Sequence, residues 1–318
     1  MQSHVYRLIA PDRIDGIVVA AGCIAASVEL ESVLQSIQTL CRVPTCAVGQ
    51  RCRAVPSVIV DNAAGAAALA RHVVMAHGRR RIAYVAGPAG HEESDERLNS
   101  ARDALSQLQV VLPPAAVAYG NFSTVSGLGA TRELLRRGEP LDALIAANDD
   151  MAVGALEALE AAGIRCPQDV VVAGFDDSPS SRAGKPSLTT VRQPIVQLGA
   201  SAVARLVAAW EGNSDPTDVI TLETELVLRE SCGCHGVQHT PQDSVLQTGW
   251  ARPPGKDAWK TRWRRCCTFQ TNAEIGRGRY ASPLMARSPA TRALCDRPCS
   301  SCLTSSRIPM RRSTNCSR

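Results

Sequence analysis

The sequence predicts an α/β fold in two lobes, each built on a parallel sheet flanked by helices. Short uninterrupted apolar runs, such as VVVAGF at 170–175, are typical of strands buried on both faces of a sheet. Segments with helical spacing separate these runs, which is the order expected of βαβ units. The strand count is high for one small lobe, and 318 residues are enough to build two cores.

Strands and helices alternate along residues 14–230. The apolar runs predict strands at 15–21, 45–48, 58–61, 81–87, 116–119, 143–147 and 170–175. Helical spacing predicts helices at 25–40, at 63–76 (opened by Asn62), and at 92–108, 123–137, 149–161 and 194–210. Aromatic residues make up only 3% of the chain, so the core must be built from Ala, Val, Leu and Ile.

Composition divides the chain near residue 234. Residues 235–318 hold 15 Lys and Arg against 4 Asp and Glu, and 8 of the 13 Cys follow Ser231. This tail has no sustained helical or strand period, so we predict that it is disordered and has no selected function. A basic nucleic-acid-binding arm and an out-of-frame or degraded extension are the alternatives.

Several classes of function lack their usual signals. No apolar run reaches the ~18 residues of a membrane span, and the first residues do not form a secretory signal, so we expect a cytoplasmic protein. Neither GxGxxG nor GxxxxGK[ST] occurs, and HEES at 91–94 is not HExxH. We therefore expect no enzyme activity, no catalytic residues and no cofactor.

The sequence also predicts no metal site. Cys232 and Cys234 are interpreted as ordinary small residues, because C-x-C alone is a weak indicator of metal binding. Cys295, Cys299 and Cys302 have an iron–sulfur spacing, but neither a strand nor a barrel is predicted around them, so we interpret this spacing as coincidence.

Short polar side chains follow three of the predicted strands, as Asp61-Asn62, Asn148-Asp149-Asp150 and Asp176-Asp177. Ligands of open parallel sheets bind outside the carboxyl ends of the strands. Helix capping by Asn62 and Asp149 is one interpretation. It explains the Asp176-Asp177 pair less well, because the following SPSSRAGKPS is loop-like. The other two interpretations of these polar residues are a catalytic carboxylate pair and a polyol-binding cleft.

Motifs in residues 5–233 resemble the effector-binding domain of the LacI/GalR family of bacterial transcriptional regulators. AANDDMA, GFDD and LTTVRQP occur in the family's order and spacing. The resemblance implies a two-lobed fold like that of periplasmic binding proteins, with an effector in the cleft. The implied lobes are 1–78 with 193–212 and 79–192 with 213–234, and the implied crossings are at 78–80, 188–192 and 212–220.

The resemblance also implies the ligand-binding residues. Arg97 matches the arginine of an R-x-x-G-F motif, although Ser100-Ala101 stand in place of Gly-Phe. Asn148 matches the asparagine of A-N-D, and Asp176 matches the first aspartate of G-F-D-D. Phe122 matches an aromatic that could stack on a sugar ring. These residues imply a sugar or nucleoside-like effector, and Asp177 is expected to brace the loop.

The chain departs from the family pattern at both ends. No helix-turn-helix precedes residue 15, so we expect DNA contact only through an N-terminal domain that is missing from this chain. The N-terminal lobe is expected to be incomplete and to expose a hydrophobic edge. The family implies a homodimer. RESCGC at 229–234 resembles sensors fused to output modules such as diguanylate cyclases. A sensor that has lost its output module and a free-standing sugar-binding protein are therefore the alternatives.

Overall fold

The structure is a computed structural model of the chain. It describes residues 14–23, 30–41, 43–138, 140–213, 215, 217–234 and 267–269. Two compact units, Met1–Ala273 and Glu274–Arg318, divide the chain. All described residues lie in the first unit. Cys295, Cys299 and Cys302 lie outside the described residues.

The first lobe contains a parallel sheet with a helix on each face. Its sheet has the order β11-β1-β2-β3-β9. The strands are β1 (Ile17–Ala20), β2 (Thr45–Val48), β3 (Ser57–Val60), β9 (Val219–Leu222) and β11 (Cys267–Phe269), and the helices are α1 (Leu30–Cys41) and α7 (Ile195–Trp210). Side chains alternate between faces along a strand. Ile17 and Val19 of β1 therefore pack with α1, and Val18 packs with α7.

The second lobe contains a four-stranded parallel sheet in the order β5-β4-β6-β7. Its strands are β4 (Ile82–Ala86), β5 (Val117–Tyr119), β6 (Ala143–Ala146) and β7 (Val171–Ala173). Its helices are α2 (Asn62–His77), α3 (Glu92–Gln107), α4 (Thr124–Arg137), α5 (Asp149–Ala161) and the short α6 (Pro179–Ala183). Helix α2 packs against α3 and α4 against α5, and together with the sheet they form the largest core.

Three crossings connect the lobes. β3 leads into α2 at Asp61. A strand, β8 (Thr190–Arg192), leads into α7 through Gln193-Pro194. β9 leads through Glu223-Thr224 into β10 (Glu225–Val227), which pairs antiparallel with β8. The first and third crossings lie side by side, because the Thr224 hydroxyl donates to the Asp61 carbonyl at 3.2 Å.

These crossings differ from the predicted boundaries. Helix α2 was assigned to the first lobe, but its apolar residues pack in the core of the second. Residues 213–234 were assigned to the second lobe, but β9 pairs with β3 of the first. Both differences have one cause, because the chain crosses at strand ends and not at the glycine that ends α2.

The predicted elements agree with the structure in type and order, mostly within one or two residues at their ends. The sequence missed β8, β9 and β10, which are short and lie at or beside the crossings, and it missed α6 directly after Asp177. Strand β11 lies in the segment predicted to be disordered. It pairs with β1 and covers an edge of the first lobe's sheet, which was expected to be exposed. Among the described residues, no helix is long and apolar enough to cross a membrane.

Candidate functional site

Arg97 lies at the centre of the candidate site. It extends from α3 and is only 4% exposed. Its Nε donates to the Asn62 side-chain oxygen and its Nη1 to the Ala147 carbonyl, both at 2.8 Å. The guanidinium also lies 3.9 Å from the centroid of the Phe175 ring. These contacts fix the guanidinium beside the ends of β6 and β7.

Asp176, the other charged residue that the resemblance implies for the site, lies beside Arg97. The two side chains form an ion pair with an N···O distance of 3.5 Å. Gln193, at the second crossing, donates to the same carboxylate oxygen at 2.5 Å. The Asp176 side chain keeps 32% of its surface exposed. Burial raises the pKa of this carboxyl to about 6, against the opposing effect of Arg97.

The backbone at Asp176 has a φ of 116°, and Asp177 has a φ of 55°. Non-glycine residues adopt such angles rarely, and they do so most often where a functional loop is held by its surroundings. Here the Asp176 amide donates to the Val191 carbonyl at 2.7 Å. The strained turn therefore holds the carboxylate against the crossing strand β8.

Asn148 connects the site to the loop that carries Phe122. Its side-chain oxygen caps α5 by accepting from the Met151 amide at 3.0 Å. Its side-chain nitrogen donates to the Phe122 carbonyl at 3.0 Å. The Asn148 amide thus has a structural partner at each end, and it fixes the position of the Phe122 loop.

Phe122 also lies near the site, with a φ of 66°. Its ring packs edge-on against His91, with 4.9 Å between ring centroids. It also covers Gly87, where a side chain would overlap the ring. Gly87 therefore allows the ring to lie directly over the end of β4.

His91 and Glu93 were missed by the sequence analysis, although they contact the first lobe. His91 Nε2 donates to the Gly22 carbonyl at 2.8 Å, which leaves Nδ1 buried and without a partner among the described residues. Glu93 pairs with Arg97 at 3.7 Å and also lies against Gly22. Their one signal in the sequence is the polar HEES segment at the start of α3.

Asp177 braces the loop, as the sequence predicts. Its side chain is 1% exposed and pairs with Arg182, Arg192 and Arg229. Burial alone would raise the pKa of this carboxyl, but hydrogen bonds from the three arginines outweigh burial and lower it to about 2. Asp177 is therefore a buried anion with structural partners.

Asn62 and Asp149 were candidate helix caps, but in both cases the capping residue lies one position earlier. Asp61 caps α2 and Asn148 caps α5. Asn62 instead orients Arg97. Asp149 is buried and accepts from the Thr190 hydroxyl at 2.5 Å and the Ser178 amide at 2.8 Å. Burial raises the pKa of Asp149 to about 7, against those hydrogen bonds.

The site residues do not form a metal site. In the described part of the chain, a single group of His, Cys, Asp and Glu has ligand atoms close enough for a metal ion, and it includes none of these residues. The arrangement instead offers a partly exposed carboxylate, held beside a fixed guanidinium, and an aromatic ring. Such groups hold hydroxyl-bearing ligands by hydrogen bonds and ring stacking.

Comparisons with known proteins agree with the two-lobed α/β fold. Residues 71–232 match the family model described as a periplasmic binding protein-like domain. The HTH-type transcriptional regulator CelR of Thermobifida fusca is 38% identical over 177 residues, which are 56% of this chain and 52% of the relative. This chain therefore spans about half the length of that regulator.

Solved structures show the same similarity. A transcriptional regulator CelR–cellobiose complex is 33% identical, with a TM-score of 0.64, over 72% of this chain and 69% of the solved chain. The lac repressor dimer bound to operator and the anti-inducer ONPF is 29% identical, with a TM-score of 0.57, over 64% of this chain and 61% of the solved chain. The relatives are named as transcriptional regulators and not as enzymes. The chain belongs to the periplasmic-binding-protein-like family, and it is an effector-binding domain of the LacI/GalR type.

Proposed function

We propose that this domain senses a small hydroxylated effector, a sugar or a nucleoside-like molecule, held between its two lobes without chemical conversion. The observation that carries this proposal is the Arg97–Asp176 pair, because it places a partly exposed carboxylate beside Gln193 of the second crossing. A carboxylate there can accept hydrogen bonds from two ligand hydroxyls, and charged acceptors form the stronger hydrogen bonds.

The remaining groups supply complementary contacts. The Phe122 ring offers an apolar surface for the face of a sugar or base. His91 packs edge-on against that ring and donates from Nε2 to the Gly22 carbonyl, so it holds the ring beside the first lobe. Asn148 holds the Phe122 loop through the amide contacts already described, and it would act on the ligand through that loop.

We propose that ligand binding closes the lobes and that this closure is the signal. A ligand favours the closed state only by its greater affinity for that state. Gly22 of the first lobe lies against His91 and Glu93 of the second, so both walls of the cleft can contact one ligand.

We further propose that the chain acts as a homodimer in transcription regulation. The lac repressor, a solved relative, is a dimer bound to operator DNA. The relatives are named as HTH-type regulators, so we propose that an N-terminal helix-turn-helix domain, and not the two lobes, contacts DNA.

The proposal is tested by thermal-shift screening of sugars and nucleosides, followed by calorimetry on the full chain. A ligand that raises the melting temperature is expected to bind Asp176→Ala at least about tenfold more weakly, because a charge-assisted hydrogen bond contributes about 1.5–3 kcal/mol. Asp103→Asn, an exposed change on α3, is the matched control and should bind normally. Unchanged affinity of Asp176→Ala would contradict the proposed site.

Binding should also depend on pH. The Asp176 pKa is raised to about 6, so the carboxylate acceptor is present above that pH and is lost as pH falls through 6. Affinity for the hydroxylated ligand is therefore expected to fall between pH 7 and pH 5. Calorimetry at each pH measures this change, and Asp176→Asn should give a flatter profile. Equal slopes in both proteins would assign the pH dependence to another group.

A further inference from the structure

The last described residues of the second lobe lie against the C-terminal end of α2 and bring two cysteines to two histidines. The ligand atoms of His72, His77, Cys232 and Cys234 all lie within 4.8 Å of one another. The Nε2 atoms of the two histidines are 3.1 Å apart. Cys234 Sγ lies 3.5 Å from His77 Nε2 and 3.7 Å from His72 Nε2. Cys232 Sγ lies 3.6 Å from His72 Nε2.

These separations fit a tetrahedron around one zinc ion. Zn–S bonds of ~2.3 Å and Zn–N bonds of ~2.05 Å imply N···N and S···N separations of about 3.3 and 3.6 Å at tetrahedral angles. The observed separations of 3.1 Å between nitrogens and of 3.5, 3.6 and 3.7 Å between sulfur and nitrogen differ from these by a few tenths of an ångström at most.

The ligand types point to the same ion. Two thiolates and two imidazoles in tetrahedral geometry are typical of structural zinc sites. His72 and His77 are separated by four residues, within the spacing of such sites, while the cysteine pair is one residue closer than usual. The Thr189 hydroxyl is within 3.0 Å of Cys232 Sγ, so it can donate to a thiolate there.

Three other cysteines in the described part of the chain show which contacts a buried or partly buried thiol makes without a nearby histidine. The Cys46 and Cys52 thiols are buried, and they donate to the backbone carbonyls of Ala47 and Gln50. The Cys166 thiol donates to the Ser231 carbonyl at 3.3 Å. Cys232 and Cys234 differ from all three because each sulfur lies against an imidazole nitrogen.

We propose that His72, His77, Cys232 and Cys234 form a structural zinc site. Four protein ligands complete the coordination shell, which is typical of structural zinc and not of catalytic zinc. The ion would tie residues 232–234 to α2, and it would fix the point where the chain leaves the second lobe toward residue 235. This inference does not depend on the proposed effector.

The test measures metal bound to the full chain after reduction and purification from zinc-supplemented medium. Elemental analysis is expected to show that Cys234→Ser and His77→Gln each lose about one zinc equivalent relative to the parent protein. Both residues are partly exposed, so these variants should fold. A chelator should lower the melting temperature of the parent protein and leave that of the two variants unchanged.

Two controls separate this site from other thiols. Cys166→Ser removes a neighbouring thiol that is not a proposed ligand, and it should retain the zinc. A variant with Cys295, Cys299 and Cys302 changed to Ser should also retain this equivalent. Substitution with Co²⁺ adds an independent measurement, because visible bands of tetrahedral thiolate coordination should appear in the parent protein and not in Cys234→Ser.

Three results would overturn the inference. The first is a parent protein that, once reduced, binds neither Zn²⁺ nor Co²⁺. The second is a folded Cys234→Ser variant with the same metal content and cobalt spectrum as the parent. The third is a Cys166→Ser control that loses as much metal as Cys234→Ser, which would indicate adventitious binding to thiols.

Discussion

Replacing Asp177 by alanine is expected to destabilise the domain by about 3–5 kcal/mol, because removal of one partner leaves buried charges without compensation. The Asp177 side chain is 1% exposed, and Arg229, one of its three arginine partners, is 13% exposed. Urea unfolding of the full chain measures the change. The matched control is Asp169→Asn, because Asp169 pairs with Arg165 in a solvent-exposed ion pair and its loss should change the unfolding free energy far less. Equal effects from both variants would contradict this role.

The same residue predicts a pH dependence. The pKa of Asp177 is about 2 in the folded protein against an ordinary value of 3.8, so its ionised form is stabilised by folding. That stabilisation is fully present above pH 4 and is lost as pH falls toward 2. The difference in unfolding free energy between the parent protein and Asp177→Ala should therefore shrink over this interval.

Replacing Gly154 by alanine is expected to cost about 3 kcal/mol or more, at the upper end of overpacking effects. Helices α4 and α5 approach so closely that a Cβ at Gly154 would overlap the Thr124 backbone. Gly127 of α4 faces the Met151 backbone in the same way. Both obstacles are backbone atoms of helices, so a side-chain rotation cannot relieve them. Urea unfolding measures the loss.

Gly129 provides the matched control in α4. It is exposed, and a Cβ there would meet no atom within 4 Å. Gly129→Ala should stabilise the helix by about 0.5–1 kcal/mol, because alanine has the higher helix propensity. Gly127→Ala should destabilise the same helix. A shared sign for the two variants would show that helix propensity, and not the contact between helices, governs this region.

The parallel sheets could be predicted from the sequence because their strands are buried on both faces. Runs such as VVVAGF then carry a continuous apolar signal, and the intervening helices carry a periodic one. The short strands β8, β9 and β10 lie at or beside the lobe crossings, and β9 alternates between exposed and partly buried residues. None of the three is buried along its whole length, so the continuous apolar signal of the strands in the second lobe's sheet is weaker there.

The candidate site could be predicted only in part, for a similar reason. The resemblance identified Arg97 and Asp176, and the structure brings these two side chains together. The resemblance could not show that both ends of the Asn148 amide have hydrogen-bond partners, because one of those partners, Phe122, is distant in sequence. His91 and Asn62 are polar residues at the starts of predicted helices, but their contacts with Gly22 and Arg97 appear only once the lobes are folded.

The sequence also could not predict the four proposed metal ligands, because the two pairs lie far apart along the chain. His72 and His77 are separated from Cys232 and Cys234 by more than 150 residues. The C-x-C pair by itself offers two ligands, and two ligands do not define a metal site. The packing of α2 in the second lobe brings the two pairs together, and the predicted lobe boundary had placed α2 in the first.

The placement of Asp176 next to Gln193 has a mechanical consequence. In a rotation about the lobe crossings, atoms close to the hinge, such as the Asp176 carboxylate, move little. Atoms far from the hinge move through larger distances. A slight change of torsion at the three connecting segments would thus displace the outer rims of the lobes most. The surface that transmits ligand binding should therefore lie at the outer edges of the lobes, far from the carboxylate that binds the ligand.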